Sequence, residues 1–290
     1  MKRFLIITNS SKDEGLRLTH LIKEYIEKKG CVCRIEERST QGGNDEIDLV
    51  RTEVDCALVL GGDGTMVRAV RDMTGTPIPV IGVNLGTLGY LCEVEEENVF
   101  NAVDRIINDD YEIEDRVQII GSTGNGSGVS EQMAINDIVI YRAGNLQVVS
   151  LNVYVNDSFL CNYHADGLII ATPTGSTAYS MSAGGPIMDP KASMIVLTPI
   201  NAQIMNAHSI VIPSEDEVRV ELVRRNSGAN KLEESVEIAF DGDNIASLGI
   251  GESIVIRQAP EMAKFLKLSS LSFIERLQKK MSMFNDRSNG

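Results

Sequence analysis

The sequence predicts an α/β domain followed by an all-β-rich domain. In the first third of the chain, short apolar runs alternate with segments of helical spacing, the pattern of an open parallel sheet with helices on both faces. From about residue 116, strand-like runs follow one another with little helix between them, as in antiparallel sheets packed as a sandwich. We therefore expect a Rossmann-like domain at 1–115 and a β-sandwich-like domain at 116–267.

Length and charge narrow the class of protein. The 290 residues suffice for one large or two medium domains, and the net charge of −14 argues against nucleic acid as a partner, because phosphate contacts need a basic face. Small phosphorylated ligands are not excluded, since backbone N–H groups and a metal ion hold them without lysines. No apolar run matches a membrane span or a signal peptide, so we expect a cytoplasmic protein without membrane contact. Five cysteines without a C-x-x-C pair predict reduced thiols rather than a zinc site.

The elements of the first domain follow from apolar runs and helical spacing. The predicted strands are 3–9, 31–37, 55–60 and 78–84, and the predicted helices are 12–29 and 67–73. Gly30 follows the first helix as a typical C-terminal stop. The run DCALVL (55–60) is almost entirely apolar, as expected for a strand covered on both faces.

The second domain is predicted from a succession of β-type runs. They are VQII, MAINDIVIYR, VVSLNVYVN, SFLCNY, GLIIAT, SMIVLTP, SIVIP, EVRVELVRR, SVEIAFD, ESIVIRQ and KFLKLS. The stretch GSTGNGSG (121–128) has the composition of a linker, but strand signals flank it closely, so we expect a mobile hairpin loop. The run LSFIERLQKKMSMF (271–284) predicts a helix.

One short stretch, ALVLGGDGTMVRAV (57–70), places a carboxylate among three glycines where a buried strand passes into a helix. Ligands of open parallel sheets bind at this end of the strands, and glycines let the backbone approach a phosphate at a helix N-terminus. The pattern is neither a P-loop nor the dinucleotide fingerprint. The plainer interpretation is a tight turn in which Asp63 or Thr65 caps the helix.

A second stretch, HADGLIIATPTGSTAYSMSAGGP (164–186), opens from a strand into a loop rich in hydroxyl groups. Such a loop offers a ribose or an amide many small donors and acceptors, although an ordinary polar loop has the same composition. A hydrolase nucleophile is a poor alternative, because G-x-S-x-G is absent.

Together with AINDIVIYR (134–142), VNLGTLGYLCEV (83–94) and the later Asp241-Gly242 pair, these stretches resemble the NAD kinase family over nearly the whole chain. The G-G-D-G-T turn is shared with diacylglycerol and sphingosine kinases, whereas T-P-T-G-S-T-A-Y is more particular to NAD kinases. The resemblance implies transfer of the terminal phosphoryl group of ATP, or of polyphosphate, to the 2′-hydroxyl of the adenosine ribose of NAD. It also implies Mg²⁺ with ATP, a site between the two domains, a homodimer or homotetramer, and a C-terminal helix at about 268–290 that returns to the first domain.

The resemblance assigns roles to individual residues. Asp63 is the implied general base, and Gly64 packs against the ligand. The residues implied in NAD binding are Asp63, Gly64, Tyr90, Asn136, Asp137, Gln147, His164, Asp166, Thr174, Thr177, Ala178, Tyr179, Ser180, Met181, Ser182 and Asp243. Those implied in phosphate binding are Gly61, Gly62, Gly64, Thr65 and Arg68, although a solvated helix face explains Arg68 equally well.

Three positions depart from the family pattern. His164 replaces an arginine that commonly precedes the D-G pair, Asp243 replaces a glutamine after the later D-G, and the segment 201–208 lacks the P-H-S-L sequence. Two other classes stay open: a lipid or small-molecule kinase that uses the same turn, and a non-catalytic dinucleotide-binding protein. A polar loop at 172–182 disfavours the first, and the retained Asp63 disfavours the second.

Overall fold

The computed structural model describes residues 1–38, 53–86, 89–125, 128–144, 148–203, 208–224, 235–268 and 272–287. Within it the chain forms two compact units. Unit 1 comprises Met1–Asp115 and Ala263–Gly290, and unit 2 comprises Arg116–Met262. No helix within the described ranges has the length and apolar character needed to span a membrane.

Unit 1 is built on a mainly parallel sheet. Its strands are β1 (Arg3–Asn9), β2 (Val32–Arg38), β3 (Cys56–Gly61), β4 (Val80–Asn84), β5 (Cys92–Glu95), β6 (Glu112–Arg116) and β19 (Ala263–Lys267). Its helices are α1 (Arg17–Lys28), α2 (Asp63–Asp72), α3 (Val99–Ile107) and α5 (Phe273–Arg287), with 3-10 turns at Glu14–Leu16 and Glu96–Asn98.

The strand order of this sheet is β2-β1-β3-β4-β19-β6, and β5 also pairs with β4. β1 pairs in parallel with β2 and β3, and β4 pairs in parallel with β3, β5 and β19. β3 and β4 are buried along their whole length, which explains their nearly continuous apolar sequence. The apolar faces of α1 and α3 pack with these strands into one core, centred on residues such as Phe4, Ile22 and Val103.

Unit 2 is a sandwich of two antiparallel sheets. Its strands are β7 (Ile119–Asn125), β8 (Gly128–Ala134), β9 (Asp137–Arg142), β10 (Val149–Val155), β11 (Ser158–Ala165), β12 (Gly167–Ala171), β13 (Met194–Ile200), β14 (Ile210–Pro213), β15 (Val218–Val223), β16 (Ser235–Phe240), β17 (Asp243–Gly249) and β18 (Ser253–Gln258). A 3-10 turn at Gly175–Thr177 and the one-turn helix α4 (Tyr179–Ser182) follow β12.

One sheet has the order β11-β10-β15-β18-β7-β8 and the other β14-β13-β12-β9-β16-β17. Inward-facing side chains of both sheets, among them Leu151, Val220, Ile140 and Phe240, form a single core. The predicted fold class, an α/β part and a β-sandwich-like part, is confirmed.

Three local predictions are wrong at least in part. The hairpin expected at 121–128 is present, since β7 and β8 pair antiparallel, but most of the expected loop is strand, because β7 extends to Asn125 and β8 begins at Gly128. Residues 126–127 lie outside the described ranges. Core packing explains Gly121, since a Cβ at this position would lie 2.9 Å from Cε1 of Phe240. The run KFLKLS belongs to the parallel sheet instead of the sandwich, because β19 pairs with β4 through Phe265 and Val80.

The run MAINDIVIYR is also not one strand. It breaks between β8 and β9 at residues 135–136. This break produces the turn that carries Asn136 and Asp137. β5, α3 and β6 were not among the predicted elements.

Candidate active site

The G-G-D-G-T turn connects β3 to α2 in unit 1. Gly61 ends β3, Gly62 is the N-cap residue of α2, and Asp63 is the first residue of the helix. Gly62 has extended backbone angles (φ −125°, ψ −171°). The turn therefore presents the free backbone N–H groups of a helix N-terminus, the end of a helix that favours anions.

The carboxylate of Asp63 is held by the loop before β5. Its Oδ2 accepts a hydrogen bond from the backbone N–H of Tyr90 at 2.7 Å, and its Oδ1 accepts one from that of Leu91 at 3.1 Å. Gly89 makes this approach possible, because a Cβ there would lie only 1.8 Å from Oδ1. The side chain is half-buried and directed at this loop instead of capping its own helix.

The three glycines of the turn differ in what surrounds them. A Cβ on Gly61 would lie 2.4 Å from Oγ1 of Thr65, so the packing of the protein itself explains this glycine. A Cβ on Gly64 would meet no atom within 4 Å, and Gly64 is exposed. Glycine costs a helix about 1 kcal/mol relative to alanine, so a requirement outside the chain's own packing is the better explanation for Gly64.

The remaining predicted residues of unit 1 surround the turn. Thr65 is half-buried, and its Oγ1 accepts a weak hydrogen bond from Asn9 at 3.5 Å. Arg68 is exposed on α2. Tyr90 is half-buried, and burial together with the charge of Asp63 raises the pKa of its hydroxyl. Two lysines that the sequence reasoning missed, Lys12 and Lys280, also approach this turn.

In unit 2, the turn between β8 and β9 is fixed by the carboxylate of Asp241. It accepts hydrogen bonds from the backbone N–H groups of Ile135 at 3.0 Å, Asn136 at 2.7 Å and Asp137 at 3.2 Å. The N–H of Asp241 in turn donates to the carbonyl of Asp137 at 3.0 Å. Asp241 has φ +51° and Gly242 φ +88°, and this left-handed pair directs the carboxylate back toward the turn.

Asp137 carries a buried carboxyl group beside that carboxylate. Burial and the negative charge of Asp241 raise the pKa of Asp137 to about 7. Its protonation state therefore changes within the physiological range of pH, where an ordinary aspartate is fully ionised.

A cavity of about 740 Å³ opens beside this turn, entirely within unit 2. It is lined by Asn136, Asp137, Val139, Tyr141, Arg142, Gly144, Asp166, Ala178, Tyr179, Ile200, Asn201, Ala239, Asp241 and Gly242. Five predicted NAD-binding residues thus line one cavity, namely Asn136, Asp137, Asp166, Ala178 and Tyr179. Its volume suits an organic ligand, and its wall combines apolar surface with a few polar groups.

Asp166 is held at the cavity wall by two partners that the sequence reasoning missed. Its Oδ1 lies 3.0 Å from Nε of Arg142, and its Oδ2 accepts a hydrogen bond from Asn201 at 3.1 Å. Asn201 has a left-handed backbone (φ +47°). The guanidinium group of Arg142 therefore lies beside Asp166. This cation comes from β9, whereas the family pattern has an arginine at the position that His164 occupies.

Most hydroxyl groups of the 172–182 loop form hydrogen bonds within the protein. Thr172 donates to the carbonyl of Ile135 at 2.5 Å, and buried Ser180 shares a hydrogen bond of 3.0 Å with Thr198. Fewer of these hydroxyl groups are therefore available to a ligand than the composition of the loop suggests. Gly175 fits tightly here, since a Cβ would lie 2.0 Å from the carbonyl oxygen of Asn136.

The other predicted residues differ in exposure. Thr177 and Met181 are half-buried, whereas Tyr179, Ser182 and Asp243 are exposed. Within the described part of the chain, the buried Thr174 hydroxyl and Nδ1 of half-buried His164 have no hydrogen-bond partner. Gln147 lies outside the described residues, as do residues 204–207 of the unusual segment.

Comparison with known proteins resolves the choice between kinase families. Residues 4–111 match the ATP-NAD kinase N-terminal domain, and residues 135–268 match the ATP-NAD kinase C-terminal domain. The chain belongs to the NAD kinase family.

Curated NAD kinases match along their full length. The NAD kinase of Agathobacter rectalis is 48% identical over 98% of this chain and 100% of its own, and that of Lachnospira eligens is 39% identical over 97% and 100%. Among solved structures, yeast NADH kinase complexed with NADH has a TM-score of 0.82 at 21% identity, covering 97% of this chain and 88% of that one. An Archaeoglobus fulgidus NAD kinase in complex with ATP has a TM-score of 0.73 at 21% identity, covering 96% and 97%. These two structures support the fold of an NAD kinase.

Proposed function

We propose that this protein transfers the terminal phosphoryl group of ATP, or of polyphosphate, to the 2′-hydroxyl of the adenosine ribose of NAD. The observation that carries the proposal is the geometry of the G-G-D-G-T turn. Asp63 is oriented by two backbone N–H groups, and the adjacent Gly64 faces open space that its own protein does not fill.

Asp63 acts as the general base. An ionised carboxylate has about four acceptor positions, and the N–H groups of Tyr90 and Leu91 use two of them. The remaining positions accept the hydrogen of the ribose hydroxyl, which orients its oxygen for in-line attack. Because the hydroxyl is a weak acid and the carboxylate a weak base, the proton moves late in phosphoryl transfer.

Mg²⁺ enters with the donor. Within the described ranges, no three His, Cys, Asp or Glu side chains are placed to hold a metal ion. A divalent cation on the donor phosphates neutralises their charge during transfer. The protein contributes the helix N-terminus of α2, with Gly61, Gly62, Gly64, Thr65 and Arg68, to the same phosphates.

The cavity of unit 2 binds the dinucleotide. Asn136 and Asp137 contact the adenosine half, and Asp166, fixed by Arg142 and Asn201, lies at the nicotinamide end. Thr174 and His164 are included on the resemblance alone, because neither residue lines this cavity. The resemblance adds Tyr90, Gln147, Thr177, Ala178, Tyr179, Met181, Ser182 and Asp243 as further contacts. The hydroxyl of Ser180 is already bonded to Thr198, so Ser180 is not proposed as a contact through that group.

The alternative of a lipid kinase is disfavoured by the cavity wall. Asp137, Arg142 and Asp166 would each lose hydration against an acyl chain, which offers these polar groups no hydrogen bond. A pure binding protein has no need of a positioned carboxylate at the G-G-D-G-T turn.

The test is product formation. Purified protein is incubated with NAD, ATP and Mg²⁺, and NADP is measured with an NADP-specific dehydrogenase. Formation of NADP supports the proposal. Label from [γ-³²P]ATP that appears only in a lipid fraction supports the second function, and no transfer to either acceptor refutes both kinase functions.

We also propose a homodimer or homotetramer in the cytoplasm. The described structure leaves Phe159 and Leu160 exposed on β11, an edge strand suited to an interface. All five cysteines are free thiols, the state that the reducing cytoplasm maintains. Light scattering during gel filtration measures the assembly.

A further inference from the structure

Two lysines from distant parts of unit 1 converge on the G-G-D-G-T turn. Lys12 follows β1, and its Nζ lies so close to Gly62 that a Cβ there would be 2.7 Å from it. Lys280 lies on α5, and its Nζ stands 3.4 Å from the centroid of the Tyr90 ring. Tyr90 is the residue whose N–H binds Asp63, and the charge of Asp63 acts on Lys280. Lys12 lies beside Gly62, the residue that precedes Asp63.

The position of Lys12 is set by the turn that carries it. Oδ1 of Asn9 accepts hydrogen bonds from the backbone N–H of Ser11 at 3.0 Å and from its hydroxyl at 2.6 Å, and the N–H of Lys12 donates to the carbonyl of Asn9 at 2.9 Å. Nδ2 of Asn9 reaches Oγ1 of Thr65 at 3.5 Å. This hydrogen bond links the turn that carries Lys12 to the G-G-D-G-T turn, of which Thr65 is the last residue.

The position of Lys280 is set by an anchor one helical turn earlier on α5. Arg276 forms an ion pair of 2.6 Å with buried Glu93 and donates to the carbonyl of Cys92 at 3.0 Å. Residues four apart on a helix share a face, so this anchor directs Lys280 toward Tyr90. Lys280 is thus preorganised, unlike a lysine on a solvated helix face.

Neither ammonium group has a carboxylate within ion-pair distance among the described residues, whereas Lys267 and Arg276 both pair with Glu93. Burial lowers the pKa of Lys280, and the charge of Asp63 opposes that shift. Desolvating an unpaired cation costs free energy. In a chain of net charge −14, half-buried Lys280 and exposed Lys12 beside the helix N-terminus of α2 form a local site for an anion.

We propose that Lys12 and Lys280 bind the phosphate chain of the phosphoryl donor beside Asp63. This inference rests on the proposed function and names two donor-binding residues for it. During transfer, the bond between the terminal phosphorus and the donor's bridging oxygen breaks, and a bond from phosphorus to the ribose 2′-oxygen forms. The hydroxyl proton goes to Asp63, the electron pair of the broken bond stays on the donor, and the lysines keep their protons while they hold the phosphate oxygens.

The experiment compares Lys12→Met, Lys280→Met and Lys280→Arg with the unaltered protein. Lys279→Met is the matched control, because Lys279 is the exposed neighbour of Lys280 on α5. KM is measured for ATP at saturating NAD and for NAD at saturating ATP. Inorganic tripolyphosphate is titrated as an inhibitor competing with ATP and, by calorimetry, as a ligand of the protein alone. Thermal unfolding of each variant reports on folding.

Each methionine variant is expected to raise KM for ATP and the inhibition constant of tripolyphosphate about tenfold, as loss of a charge-assisted hydrogen bond does. KM for NAD stays within about twofold, Lys280→Arg recovers most of the affinity, and Lys279→Met matches the unaltered protein. Parallel assays with polyphosphate as donor show whether the same lysines hold both donors.

Unchanged KM for ATP and unchanged tripolyphosphate affinity in both methionine variants overturn the inference, as does a rise confined to KM for NAD. If one methionine variant does not fold, the methionine variant of the other lysine is judged by the same two quantities, KM for ATP and the affinity for tripolyphosphate. Lys280→Arg is measured in the same way. Absence of NADP formation by the unaltered protein refutes the proposed function instead, and calorimetry with tripolyphosphate then still decides whether the two lysines form an anion site.

Discussion

Replacing Asp137 with asparagine makes the folded protein less sensitive to alkaline pH. Burial and the charge of Asp241 raise the pKa of Asp137 to about 7, from an ordinary value of 3.8. A carboxyl group with a raised pKa binds more protons in the folded state than in the unfolded state between these values. Stability therefore falls as pH rises through this window, and the loss is complete above the folded-state pKa.

The magnitude follows from the two pKa values. At pH 5 the folded state keeps Asp137 neutral, whereas at pH 8 it must ionise the group in place. Linkage gives about 2 to 3 kcal/mol of additional destabilisation between pH 5 and pH 8, with no discount for screening because Asp137 is only 5% exposed. Asparagine has no such titration.

The assay is urea unfolding of both proteins at pH 5, 6, 7 and 8. The difference in unfolding free energy, Asp137→Asn minus the unaltered protein, is expected to grow by that amount across the series. Titrating groups that do not interact with Asp137 cancel in the difference. A difference that stays constant from pH 5 to pH 8 refutes the assignment of a raised pKa to Asp137.

Three further substitutions separate packing from ligand contact. Gly89→Ala places a methyl group 1.8 Å from Oδ1 of Asp63 and is expected to lower kcat about a hundredfold, whereas Gly124→Ala, whose methyl meets no atom within 4 Å, leaves kcat unchanged in the same NADP assay. Gly64→Ala is expected to raise the free energy of unfolding by up to about 1 kcal/mol in urea titrations and yet lower kcat/KM at least tenfold, and full activity would show that no ligand approaches it. Asp241→Asn removes an acceptor from the turn held by three N–H groups, which is expected to cost about 1 to 3 kcal/mol of stability and to raise KM for NAD but not for ATP; equal rises in both would contradict its role in the NAD pocket.

What the sequence predicts well is local. The strand β3, the glycine turn and the helix α2 together span 17 residues. The apolar run, the glycines and the helical spacing are therefore all visible in one short stretch of sequence. The assignment of β19 fails for the converse reason. The apolar run at β19 predicts a buried strand but does not identify the strand with which it pairs. That partner, β4, lies far away in the sequence.

The site shows the same limit. Asn136 and Asp137 were found by resemblance, but Asp241, which fixes their backbone, is about 105 residues away and its hydrogen bonds have no local signature. Lys280 lies in an ordinary amphipathic helix, and only the three-dimensional anchor at Arg276 directs it to Tyr90. The resemblance assigns Ser180 to NAD binding, whereas tertiary packing commits its hydroxyl, like that of Thr172, to an internal hydrogen bond.

The central claim is that Asp63 removes the proton from the ribose hydroxyl. The most direct measurement is the rate of NADP formation by Asp63→Asn at saturating NAD and ATP, together with calorimetric NAD affinity and thermal unfolding of the same variant. The account predicts a rate at least about a hundredfold below that of the unaltered protein, with a folded variant that still binds NAD. A folded Asp63→Asn that makes NADP as fast as the unaltered protein contradicts it.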